Sequence, residues 1–109
     1  MTDTQNMLYV VRWMMSARRE YPAFKVAMKA GRAACFKSTA SEAVRKTALA
    51  AIEESIEFDD PASQLIVLRQ KMHLPYSLKM LGVERRRYCK AFIASLRSVG
   101  AMDDMLQDE

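Results

Sequence analysis

Residues able to do chemistry are few in this chain, and they are scattered. It has one histidine, His73, and two cysteines, Cys35 and Cys89, at no spacing that would clamp a metal or form a redox pair. His73 stands beside Leu74 and Pro75, where a helix must end, and an imidazole there caps free carbonyls. Glu53 and Glu54 are adjacent, and neighbouring helical residues point about 100° apart, so the two carboxylates do not converge on one substrate. Neither a glycine-rich phosphate loop nor a nucleophile elbow occurs. The expectation is a protein that is not an enzyme, with no catalytic residue, no metal and no cofactor. Cys35 and Cys89 are expected to be reduced, mostly buried thiols.

Two constellations point to binding instead. Arg85, Arg86, Arg87 and Lys90 gather four cations within six residues. Leu78, Leu81, Gly82 and Val83 before them have the pattern of the first helix and turn of a DNA-binding helix-turn-helix spanning residues 74–96. The cations would grip phosphates, but no Asn, Gln or Ser opens the supposed reading helix to discriminate bases, and a solvated basic face is the simpler account. The second constellation lies near the amino terminus. From Met7 to Met15 only Arg12 is charged; Met7, Leu8, Val11, Met14 and Met15 form one stripe, and Tyr9, Val10 and Trp13 cover much of the rest. A helix apolar nearly all round must be buried nearly all round. Either it is the central helix of the core, or its outer face meets a partner, which is a second copy of this chain in an isologous dimer or a different protein. The partner-binding residues expected on the second view are Met7, Leu8, Val11, Trp13, Met14 and Met15.

The elements that carry these residues are helices. Among 109 residues there are only three Gly and three Pro, half the chain is hydrophobic, and no alternating run or Asn-Gly pair offers a strand or a hairpin. Asp3 or Thr4 caps a first helix running to about Glu20; Pro22 opens a second, reaching about Phe36, with Phe24, Ala27, Met28, Gly31, Ala34 and Cys35 inward. The small residues Ala27, Gly31 and Ala34 would let another helix approach closely. A Thr39 and Glu42 capping box starts a third helix to about Phe58, with Val44, Ala48, Leu49, Ile52 and Ile56 inward and Arg45, Lys46, Glu53, Glu54 and Glu57 in water. Asp60 and Pro61 start a fourth helix through Leu65, Leu68 and Met72. A short helix through Leu78 and Leu81 follows, then a turn at Gly82. The last helix, from about Glu84 to Ser98, places Tyr88, Phe92 and Leu96 inward and stops at Gly100. The predicted fold is a single all-α domain over residues 1–109, a small bundle-like array of five or six helices that is expected to dimerise, with 1–3 and 101–109 frayed.

The wider bounds are loose. No segment reaches the roughly 18 apolar residues of a membrane span. The Met7 to Met15 run is interrupted by Arg12 and fails as a signal peptide, so a cytoplasmic address is expected. A net charge of +4 is compatible with nucleic acid but modest, with both signs recurring along the chain.

In its length, its all-helical pattern and its Met-rich first helix from Met7 to Met15, the chain resembles the QslA-like family of small helical quorum-sensing anti-activators. The resemblance implies a homodimer that binds the ligand-binding domain of a LuxR-type transcription factor and blocks its dimerisation, and with it DNA binding. It transfers no individual residue.

Overall fold

The computed structural model describes residues 2–38, 41–58, 61–70 and 74–102, and among these are five α-helices, one 3-10 turn and no strand. The all-α array expected from composition is what forms.

Helix α1 spans Asp3–Met15. Its N-cap is Thr2, not Asp3 or Thr4: the Thr2 hydroxyl accepts from the Gln5 amide at 3.1 Å while the Thr2 amide donates to Gln5 Oε1 at 2.8 Å. This box orders residues 2 and 3, which were expected to fray. The helix also stops five residues earlier than expected. Ser16 is extended; its hydroxyl donates to the Trp13 carbonyl and accepts from the Arg18 amide, so one side chain closes α1 and opens the 3-10 turn Ala17–Glu20. Tyr21, extended before Pro22 as the proline requires, leads into α2 at Pro22–Ala34.

Helix α3 spans Glu42–Ile56, and Ser41 caps it by accepting from the Val44 amide. Glu42 is therefore the first helical residue, not the third; the expected cap Thr39 lies outside the described residues. Helix α4 spans Pro61–Arg69 and buries Val67 and Leu68. The expected roles of Asp60, Met72 and His73, and of the Leu65 side chain, fall outside the described residues.

The largest correction concerns the last third of the chain. Helix α5 is one uninterrupted helix, Leu78–Ser98, capped by Ser77, and it runs straight through Gly82. A glycine costs a helix interior about 1 kcal/mol, far less than is gained by burying one stripe of Leu81, Tyr88, Cys89, Phe92, Ile93 and Leu96 on a single straight rod. Gly100 does end it. At φ +69° it lets the Ala101 amide reach the Leu96 carbonyl and its own amide reach that of Arg97, the paired bonds of a Schellman close. Ala101 is buried, and the Met102 carbonyl accepts from the Tyr9 hydroxyl, so residues 101 and 102 are docked and not frayed.

Packing centres on α2 against α5, with α1 on α5 and α3 on α4. The expected close approach is at Gly31, where a Cβ would stand 3.0 Å from the Tyr88 ring. Trp13, Phe24, Phe92 and Tyr88 form a continuous file of rings with centroids 5.7 to 6.4 Å apart, joining α1, α2 and α5.

Candidate functional site

The six residues expected to bind a partner divide into two groups. With 3.6 residues per turn, Tyr9, Val10, Val11, Trp13 and Met14 cover about 200° of α1, and all five are buried in the chain's own core. Trp13 is fully enclosed, and its Nε1 finds no acceptor among the described residues. Trp13, Met14 and Val11 are thus core residues first, since α1 lies across α5 and α3 and is covered on most of its circumference. Met7 packs half-buried against the core. Leu8 and Met15 remain, 40% and 71% exposed, on the arc that also carries Arg12 and Ser16. Together with the edge of Val11 they line an open depression of about 460 Å³.

The four cations expected to touch DNA are placed differently as well. With no turn at Gly82, residues 74–96 do not form a helix-turn-helix, and Arg85, Arg86, Arg87 and Lys90 lie well inside α5, not at the start of a reading helix. They also do not act as a set. Arg87 pairs with Glu84 at 2.7 Å; Arg86 lies 3.8 Å from Asp3; Lys90 is exposed; Arg85 is half-buried. Asp3, Thr4, Met7, Arg85, Arg86 and Cys89 enclose a pocket of about 120 Å³ where the first turn of α1 meets α5.

Two polar clusters were not foreseen. Glu53, expected in water, is mostly covered: it accepts the Tyr88 hydroxyl at 2.6 Å and a bidentate clamp from Arg32 at 3.0 to 3.1 Å. The clamp holds the Arg32 guanidinium charged against its own partial burial. Burial first, and the Glu53 carboxylate second, push the Tyr88 hydroxyl well above the usual phenol range, so it stays a donor. The other cluster surrounds Phe36, which has φ +56° just past α2. The Phe36 amide donates to Glu84 Oε2 at 3.0 Å, the Cys35 thiol donates to the Glu84 carbonyl, and Arg45 donates to the carbonyls of Arg32 and Cys35. One cue to the first cluster was present in the sequence: a tyrosine in a core stripe must find a partner for its hydroxyl.

Burial drives the thiols of Cys35 and Cys89 up to about 12, which leaves both protonated and poorly nucleophilic at neutral pH. No group of three His, Cys, Asp or Glu side chains that could hold a metal occurs among the described residues. No described helix is long and apolar enough to cross a membrane. In chemical terms, the Glu53 and Glu84 carboxylates are committed to tying helices together. The residues singled out in the sequence border two surface features, the depression on α1 and the arginine-lined pocket. A further depression is lined by Arg32, Lys46, Leu49, Ala50 and Glu53, and Val26, Ile66, Met80 and Val99 are half or more exposed elsewhere.

Comparisons with protein-family models, with curated proteins and with solved structures return no match for this chain.

Proposed function

We propose that this chain is a non-enzymatic regulatory protein that works by binding another protein through the outer face of α1. The observation that carries this reading is the exposure of Leu8 and Met15 on the outer side of a helix whose opposite face is buried in the core, beside an open depression that Arg12 and Ser16 also line. Two large apolar side chains supply far less than the roughly 800 Å² per partner of a standard interface, so two such faces meeting each other would associate weakly. A different protein that brings an apolar groove of its own and closes over α1 buries more, in the manner of an amphipathic helix seated in a groove. Met15 suits such a seat because its unbranched side chain repacks at little cost. The quorum-sensing form of this reading is an anti-activator that holds a LuxR-type transcription factor apart from its twin. It rests on the resemblance of length, helical pattern and Met-rich first helix. A cytoplasmic setting, where Cys35 and Cys89 stay reduced, belongs to the same proposal.

The test is a pair of surface changes set against a core change. Leu8→Glu with Met15→Glu should keep far-UV helicity and stability within about 0.5 kcal/mol. The same pair should weaken binding to a purified LuxR-type ligand-binding domain by about 2 kcal/mol or more, roughly thirtyfold, in sedimentation or calorimetry. Trp13→Ala should instead lose about 3 to 5 kcal/mol of folding stability. A concentration-dependent dimer that vanishes in Met15→Glu would put a second copy on this face in place of a foreign protein. Binding that survives the double change would remove α1 from the interface.

A further inference from the structure

The pocket between the first turn of α1 and the middle of α5 contains an imbalance of charge. Two guanidiniums, those of Arg85 and Arg86, border it, together with one carboxylate, that of Asp3. Arg85 is held half-buried, with its Nε closed off from water and no acceptor for that N–H among the described residues. Burial lowers its pKa, and the neighbouring Arg86 adds to the effect, which means the surroundings disfavour its charge. Asp3 does little to relieve this. It lies 3.8 Å from Arg86, not Arg85, and both of those side chains are more than half exposed. The positive end of α1 contributes about half a charge more, leaving the pocket near +1.5. Arginine ordinarily lays its stem on apolar surface and swings its head into water; here part of the head is enclosed as well.

We propose that this pocket is a binding site for a small oxyanion group, a phosphate or a carboxylate, which takes hydrogen bonds from the terminal nitrogens of Arg85 and from Arg86. A planar guanidinium presents paired donors that match two oxygens of either group. Because the Asp3 contact is loose and exposed, Arg86 can turn from it to the anion at little cost. Met7 and Cys89 form the apolar part of the wall, and the Cys89 thiol, which stays protonated, adds no competing negative charge. A recess of about 120 Å³ has room for a phosphate or carboxylate group. The site shares no residue with the depression lined by Leu8 and Met15, so it stands or falls separately from the docking face.

The experiment is thermal melting and calorimetric titration of the full chain with sodium phosphate and, separately, sodium acetate, with sodium chloride adjusted to hold ionic strength constant. The expected result is a saturable rise in Tm with phosphate, acetate or both, the two arms identifying which oxyanion the pocket prefers. Arg85→Met keeps the apolar stem and removes the charge. It should melt no lower than the parent in chloride and weaken the anion response by about tenfold or more, whereas Arg87→Met should leave that response unchanged. Should Arg85→Met fail to fold, the exposed Arg86→Gln should still weaken binding by about threefold. An equal response to chloride alone, or a response undiminished in the Arg85 or Arg86 variant, overturns the proposal.

Discussion

A carboxylate taken out of water must be given back most of the hydrogen bonds it loses, and Glu53 recovers them from two directions. Arg32 neutralises it from α2 with a fork, and Tyr88 donates to it from α5, so one residue of α3 ties three helices together. Hydrogen bonds to charged groups contribute about 1.5 to 3 kcal/mol each, and Tyr88→Phe, which keeps the ring against Gly31, should cost about 2 kcal/mol in urea unfolding with far-UV helicity unchanged. Combining it with Glu53→Gln should give less than the sum of the two single losses, since both remove the same bond. The sequence could show that the Tyr88 hydroxyl needs a partner but not that Glu53 is that partner. Glu53 borders the apolar stripe of α3 and stands next to an exposed Glu54, and its partners lie 21 and 35 positions away. Helical period places a residue on a face, but whether a border residue meets water or a partner depends on which helix lies alongside.

Among the helices, the boundaries written in local chemistry were legible and those decided by tertiary contact were not. Pro22 opened α2 and Gly100 closed α5 as their backbone preferences dictate. Gly82 had the same look of punctuation, yet α5 runs through it because the buried stripe from Leu81 to Leu96 needs one straight rod. The two helical glycines should therefore respond in opposite ways to the same change. At Gly82 a methyl group would meet only the Arg86 Nη1, 3.9 Å away, so Gly82→Ala should raise stability by about 0.5 to 1 kcal/mol. At Gly31 it would press on three atoms of the Tyr88 ring at 3.0 Å, and Gly31→Ala should cost about 1 to 3 kcal/mol through overpacking. Differential scanning calorimetry of the two variants checks both signs. The early end of α1 belongs with the illegible features: nothing in the run of residues distinguishes Ser16 as a stop until its hydroxyl is seen serving both the Trp13 carbonyl and the Arg18 amide.

On the scale of the whole molecule, the two thiols make stability sensitive to alkali. Cys35 and Cys89 titrate up to about 12 when folded, chiefly because they are buried, against 9.0 for an ordinary thiol. The folded values are raised, so this contribution is fully present below about pH 9 and is lost as pH rises from there to about 12, while the unfolded chain sheds its thiol protons first. Tyr88 shifts in the same direction. Urea midpoints should hold level through neutrality and fall above about pH 9, with a shallower fall in Cys89→Ala. An all-helical core was readable from composition, as was the presence of more apolar surface on the first helix than a simple amphipath carries. How that surface divides between core and exterior was not, because the division depends on where α5 and α3 lie across α1. The contact between Gly31 and Tyr88 reaches beyond this one chain. Where the fold is kept, a side chain at position 31 crowds a ring at position 88, so the two sites are expected to covary in a lineage that preserves the α2 and α5 crossing. A hydrogen paired with an aromatic at that separation is a mark by which kin of this sequence could be recognised.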